Sequence, residues 1–144
     1  MTFSVVPERR QRIPLRSAVA ARAAVTAAWF LARLSPGRLR RWLRALARGA
    51  RPATEAEALR SRQAVVSVSR ACAGQGCLQR AVATVLLCRL TGTWPDWCTG
   101  VRTEPFRAHA WVEVNRRPVG EGEDIRLFRT LIRVPAPESR RRDT

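Results

Sequence analysis

The sequence predicts an α+β fold in which a helical first half stands ahead of a single helix packed on a small antiparallel sheet. Three observations carry this. Apolar residues up to Val68 recur at helical spacing among arginines, Cys77 opens a further helical stripe behind a glycine-containing turn, and the segment from Trp97 to Val134 breaks into short strand-like runs.

The first helix is expected over Ser17 to Leu34, an Ala-rich stretch with Val19, Val25, Trp29 and Leu31 at helical intervals, stopped by Ser35-Pro36-Gly37. The second carries Leu39, Trp42, Leu43 and Leu46 as a core-facing stripe, with Arg38, Arg40, Arg41, Arg44 and Arg48 on the other faces and Gly49 at its close. Thr54-Glu55-Ala56-Glu57 has the form of a capping box, so a third helix should run from Thr54 toward Val68. Cys72 to Cys77 reads as a small-residue loop, and Leu78, Val82, Val85 and Leu86 form the stripe of a helix ending at Thr91-Gly92. Strands are expected over Trp97 to Arg102, His109 to Val114 and Ile125 to Val134, with Thr103 to Ala108 as a loop and Asn115 to Pro118 as a turn. This divides the chain into an arginine-rich helical extension (1–69), a core (70–134) and a frayed basic tail (135–144).

A chain of 144 residues can bury a core of its own without staples. Its longest apolar run, Ala23 to Ala32, is far shorter than the roughly 20 residues that cross a bilayer. The start does not read as a secretory signal, and a cytoplasmic location is expected. The net charge of +16 is carried entirely by arginine, and the first 70 residues hold +12 of it. Such a surface could meet nucleic acid, anionic lipid or an acidic partner, although GC-biased coding produces the same Arg- and Ala-rich composition.

The four cysteines lack paired Cys-x-x-Cys spacing, so no metal site or other cofactor is expected. Cys88 follows Cys77 on the same helix, about 16 Å along its axis, which excludes a disulfide between them. Cys77 differs from the rest because a helix N-terminus presents free N–H groups and a positive dipole end that favour thiolate over thiol. Those N–H groups, that of Cys77 included, could also bind an oxyanion, and the Gln75 side chain is a further candidate donor. A cysteine nucleophile needs a base, and His109 is the only histidine. For the acid that would orient it, pattern leaves two readings. A three-residue turn, Asn115 to Arg117, places Glu121 diagonal to His109, whereas a two-residue turn on Arg116-Arg117 opposes His109 with Asp124.

Cys77-Leu78-Gln79-Arg80 and its helix, Thr99-Gly100-Val101-Arg102, Pro105-Phe106-Arg107-Ala108-His109-Ala110-Trp111-Val112-Glu113 and Pro118-Val119-Gly120-Glu121 together resemble the transglutaminase-like leader peptidases of lasso-peptide biosynthesis, over about residues 70–134. The resemblance implies a papain/transglutaminase-like core. It implies a cysteine endopeptidase that removes the leader from a ribosomal precursor peptide before a separate ATP-dependent cyclase closes the macrolactam. By motif position Cys77 is nucleophile, His109 base and Glu121 the orienting acid. Only helices precede the motif here, so the resemblance implies a separate small leader-recognition protein, for which the arginine-rich helices, Arg40 and Arg44 among them, are a docking candidate. The competing reading is a non-enzymatic basic adaptor that binds nucleic acid, a membrane surface or an acidic partner. The absence of tyrosine, with tryptophans mostly on apolar stripes, argues against specific nucleic-acid binding.

Overall fold

The computed structural model describes residues 8–138. Helix α1 spans Leu15–Leu31, α2 Pro36–Ala47, α3 Glu55–Val68, α4 Arg70–Ala73 and α5 Cys77–Leu90. Strands β1 (Arg51–Pro52) and β2 (Thr93–Trp94) pair in parallel as a minimal ladder. Strands β3 (Asp96–Thr103), β4 (Phe106–Val114), β5 (Arg117–Pro118) and β6 (Arg129–Val134) form an antiparallel sheet of order β5-β4-β3-β6.

The core lies between α5 and one face of that sheet. Alternation along β4 sends Ala110, Val112 and Val114 toward it, where they join Trp97, Val119 and Val134 with Ala81, Val82 and Val85 of α5. Helices α1 and α3 pack on the flanks of α5, so the helical first half shares this core. The capping box of α3 forms as its sequence dictates: Thr54 Oγ1 accepts from Glu57 N–H at 3.2 Å, and the Glu57 carboxylate accepts from Thr54 N–H at 3.0 Å.

Several elements depart from the sequence expectations. Helix α1 buries Ala21, Ala24 and Ala28 and leaves Val19 and Trp29 outside, because small side chains let it approach α5 and α3 closely. On α2 the buried stripe is Leu39, Leu43 and Ala47, and Trp42 faces solvent. The expected loop over Cys72 to Cys77 shortens to Gly74-Gln75-Gly76, because Cys72 and Ala73 belong to the one-turn helix α4, capped by Ser69 Oγ, which accepts from Cys72 N–H at 3.2 Å. The expected loop over 103–108 shrinks to a tight turn, so β4 already begins at Phe106. The segment from Ile125 splits, with a 3₁₀ helix over Glu123–Leu127 ahead of β6. Neither expected hairpin register occurs. The turn residues are Asn115 and Arg116, both with positive φ (52° and 64°), and Val114 pairs with Arg117. Of the tail, Ala136 N–H donates to Asp96 Oδ1 at 2.7 Å, and residues 139–144 lie outside the described residues.

Candidate active site

Cys77 is the first residue of α5, and its N-cap is Gly76. A Cβ at Gly76 would come within 2.7 Å of the Ala71 carbonyl oxygen, so the chain enters the helix through a gap that only glycine fits. Two side chains hold this entry in place. The buried Arg80 guanidinium donates to the carbonyls of Cys72 (3.0 Å) and Gly74 (3.3 Å), and Gln79 Nε2 donates to the Val25 carbonyl of α1 at 3.2 Å.

Burial alone would raise the half-buried Cys77 thiol. It is outweighed by hydrogen bonds with the His109 side chain and the Ala110 backbone and by the positive fields of His109 and Arg80, so the pKa falls below its ordinary 9.0. The other cysteines go the opposite way. Burial raises Cys72 and Cys88, and burial together with the Glu113 carboxylate pushes Cys98 up to about 12. Among the four, Cys77 alone has its thiol pKa shifted toward the thiolate.

His109 lies within β4, opposite Gly100 of β3. Its ring stacks on Trp111 (centroids 5.9 Å apart, planes at 13°) and meets Phe128 at 5.4 Å. Trp111 is itself pinned, since its Nε1–H donates to Glu113 at 2.9 Å and Glu113 accepts from Arg133 at 2.7 Å. His109 Nε2 lies 2.9 Å from Glu121 Oε2, with the histidine side chain 19% and the glutamate 10% exposed. Burial would depress the imidazole pKa. The hydrogen bonds and charges of Cys77 and Glu121 overcome it and raise the pKa from 6.5 to about 9.

Glu121 reaches His109 by a route that register alone did not foresee. Strand β5 ends at Pro118, Val119 N–H still donates to Val112, and Gly120, at a φ of +69°, then swings Glu121 back beneath His109. Asp124 is exposed on the 3₁₀ helix, and its carboxylate is not among the partners of His109. The oxyanion candidates fare differently from expectation. Cys77 N–H already donates to the Gln75 carbonyl at 2.9 Å, and the Gln75 side chain is exposed. Arg40 and Arg44 are exposed on α2 and take no part in the cluster. Among the described residues no group of three or more His, Cys, Asp or Glu is placed to hold a metal. No helix of the described residues is long and apolar enough to cross a membrane.

Sequence reasoning missed Arg62 and Phe128 and gave no role to Arg80 and Trp111, although both stand in its motif blocks; all four touch this cluster or its supports. Arg62 gave no signal because in a chain so rich in arginine it reads as part of a solvated face. Beside the cluster, a cavity of about 430 Å³ is lined by Trp111, Arg116, Glu121, Glu123, Arg126 and Phe128 among others.

A cysteine at the start of a helix, packed on an antiparallel sheet that carries the histidine, defines a fold of the cysteine-protease type. The chain belongs to the transglutaminase-like superfamily, whose family model matches residues 21–133. No curated protein and no solved structure matches it.

Proposed function

We propose that the protein is a cysteine endopeptidase that cleaves the leader from a ribosomally synthesised lasso-peptide precursor. The observation that carries this reading is the position of His109, which engages Cys77 on one side and Glu121 on the other. The motif resemblance around Cys77 and His109-Ala110-Trp111-Val112-Glu113 supplies the substrate class.

In this reading the Cys77 thiolate attacks the carbonyl at the leader–core junction. The His109 imidazolium, steadied by Glu121, protonates the leaving amine of the core peptide. Neutral His109 then takes a proton from water, whose oxygen attacks the thioester and releases the leader, and Cys77 regains its thiolate beside a reprotonated imidazole. With Cys77 N–H engaged by Gln75, the donors left to the oxyanion at this helix start are the next amides, those of Leu78 and Gln79, since α5 has no side-chain N-cap. The cavity flanked by Trp111 and Phe128 is the seat for side chains near the cut.

A separate small leader-recognition protein delivers the precursor in the cytoplasm, docking on the arginines of α2, and the ATP-dependent cyclase takes up the product. The exposed Trp42 among those arginines favours this use of α2, since aromatic and arginine side chains dominate binding energy at interfaces. The test is to incubate the protein with a lasso precursor, with and without the leader-binding protein, and to read the products by mass spectrometry. Leader release that needs Cys77 supports the proposal, and an intact precursor in the presence of all partners rejects it.

A further inference from the structure

We propose that Arg62 of α3 is a positioning residue for the His109–Glu121 pair: anchored by Glu8 along one edge of its guanidinium, it holds the Glu121 carboxylate in the orientation that engages His109. This rests on the reading of Cys77, His109 and Glu121 as one reaction centre, and it adds a member that comes from the helical first half.

The geometry is specific. Arg62 is only 4% exposed in the middle of an otherwise unremarkable helix. Its Nη1 and Nη2 donate to the two oxygens of Glu8 at 2.6 and 2.7 Å, a bidentate pair. Nη2 also lies 3.7 Å from Glu121 Oε1, while the other oxygen of that carboxylate, Oε2, takes His109 at 2.9 Å. One carboxylate is thus divided between an arginine and a histidine. The seat is shaped for this arginine, because a Cβ on Gly120 would fall 2.8 Å from Arg62 Cδ and 3.0 Å from its Nε and Nη1. Glycine there serves both the positive φ of the turn and the close approach of the guanidinium.

A buried guanidinium is costly unless paired. Glu8 supplies the charge, and Arg62 holds the Glu8 carboxyl below its ordinary range against the opposing effect of burial. With the charge balanced by Glu8, the guanidinium can lean on Glu121 without drawing it away from His109. The charged and titratable groups around His109 are Cys77 on α5, with Arg80 behind it, Glu121 on the segment after β5, with Arg62 and Glu8 behind it, Arg102 of β3 over the Phe128 ring, and the Glu113–Arg133 pair behind Trp111.

The chain has a single histidine, so its imidazole titration is read directly by NMR on protein labelled at histidine, with no substrate present. In Arg62→Met the Glu121 carboxylate loses its fixed edge, and the titration should move from about 9 down toward 6.5. Alkylation of Cys77 by iodoacetamide at pH 6.5 should slow by about tenfold, as the imidazolium no longer holds the thiolate. Arg62→Lys keeps the charge but not the fork, and should fall between wild type and Arg62→Met. A merely structural arginine would lower the melting temperature and leave the histidine titration where it was, which overturns the proposal. An upward movement, the signature of removing a nearby cation with Glu121 undisturbed, overturns it as well. Should Arg62→Met fail to fold, Arg62→Lys carries the test, and an unchanged titration in that folded variant overturns it. Because neither readout involves a peptide, failure of the leader-cleavage reading would leave this result intact.

Discussion

Gly100 and His109 face each other across the β3–β4 ladder, and the missing side chain on Gly100 is what lets Trp111 lie over the sheet beside the imidazole. A Cβ at Gly100 would stand 2.9 Å from the tip of the Trp111 ring and would collide with the backbone carbonyl of Arg129. Gly100→Ala should therefore destabilise the protein by about 1–3 kcal/mol and loosen the stacking on His109. Thermal unfolding measures the first effect and near-ultraviolet circular dichroism of the tryptophans the second. An alanine variant as stable as wild type would mean that β6 can shift away at no cost.

The cysteines separate by reactivity. At pH 7 one equivalent of iodoacetamide should label Cys77, and Cys72, Cys88 and Cys98 should react only on unfolding, since burial raises all three thiols. Cys77→Ala should abolish leader release, as should His109→Ala. Cys72→Ala, Cys88→Ala and Cys98→Ala should retain most of it. Peptide mapping after labelling checks the first claim, and rapid native labelling of Cys98 would contradict it.

Glu121→Gln should lower turnover by about 10²–10⁴-fold with the fold retained, because an amide cannot stabilise the imidazolium as a carboxylate does. Asp124→Asn, altering an exposed residue of the 3₁₀ helix, should stay within about twofold of wild type. Single-turnover rates of the two variants, compared with their circular dichroism spectra, decide this. The reverse order would transfer the role of acid to Asp124.

The pH profile follows from two opposite displacements. In the proposed mechanism turnover needs the Cys77 thiolate, so it should rise with pH through a thiol pKa lying below 9.0. It also needs the proton that His109 gives to the leaving amine, so it should fall again as pH passes about 9. In Glu121→Gln the alkaline limb should move to lower pH, because both the hydrogen bond and the charge of Glu121 raise the imidazole pKa. Steady-state rates between pH 5 and 10 would show it, and an alkaline limb insensitive to Glu121 would count against the pairing.

Charge reversal on α2, Arg40→Glu with Arg44→Glu, should weaken binding of the leader-recognition protein and slow cleavage only in its presence. Rim charges act on association rate and are screened by salt, so the loss should be larger at low ionic strength. Calorimetry at two salt concentrations reads this. Unchanged affinity at low salt would remove the docking role, and tight, salt-sensitive binding of wild type to random RNA or anionic vesicles would favour the adaptor reading.

What the sequence disclosed and what it concealed follow from how far each interaction reaches. Thr54 and Glu57 sit three residues apart and satisfy one another, so the start of α3 was legible from the chain alone. The mixed helix-and-sheet architecture was legible from periodicity for the same reason. The Asn115-Arg116 turn was not, because an arginine at positive φ is set by the pairing of Val114 with Arg117 and the packing around it rather than by turn chemistry. Motif position pointed to Glu121, yet the hairpin register that pattern offered for it does not occur. Gly120 and Arg62 fix its approach, and Arg62 lies far upstream on a helix whose charge pattern gives no hint of burial. Exposed Trp42 and Trp29 were concealed by composition, since nothing local says that alanines will be preferred at the close contacts of α1.

The hairpin that delivers Glu121 should also be where this sheet opens first. Its turn holds two non-glycine residues in left-handed geometry, at about 1 kcal/mol each, and β5 contributes only two residues to the ladder. His109 by contrast sits mid-strand in β4, between β3 and the aromatic cover. Amide hydrogens of Asn115, Arg116 and Arg117 should therefore exchange through cheap local opening, while those around His109 should wait for disruption of the sheet. The contact between His109 and Glu121 should thus last only as long as the short hairpin that carries Glu121 stays closed.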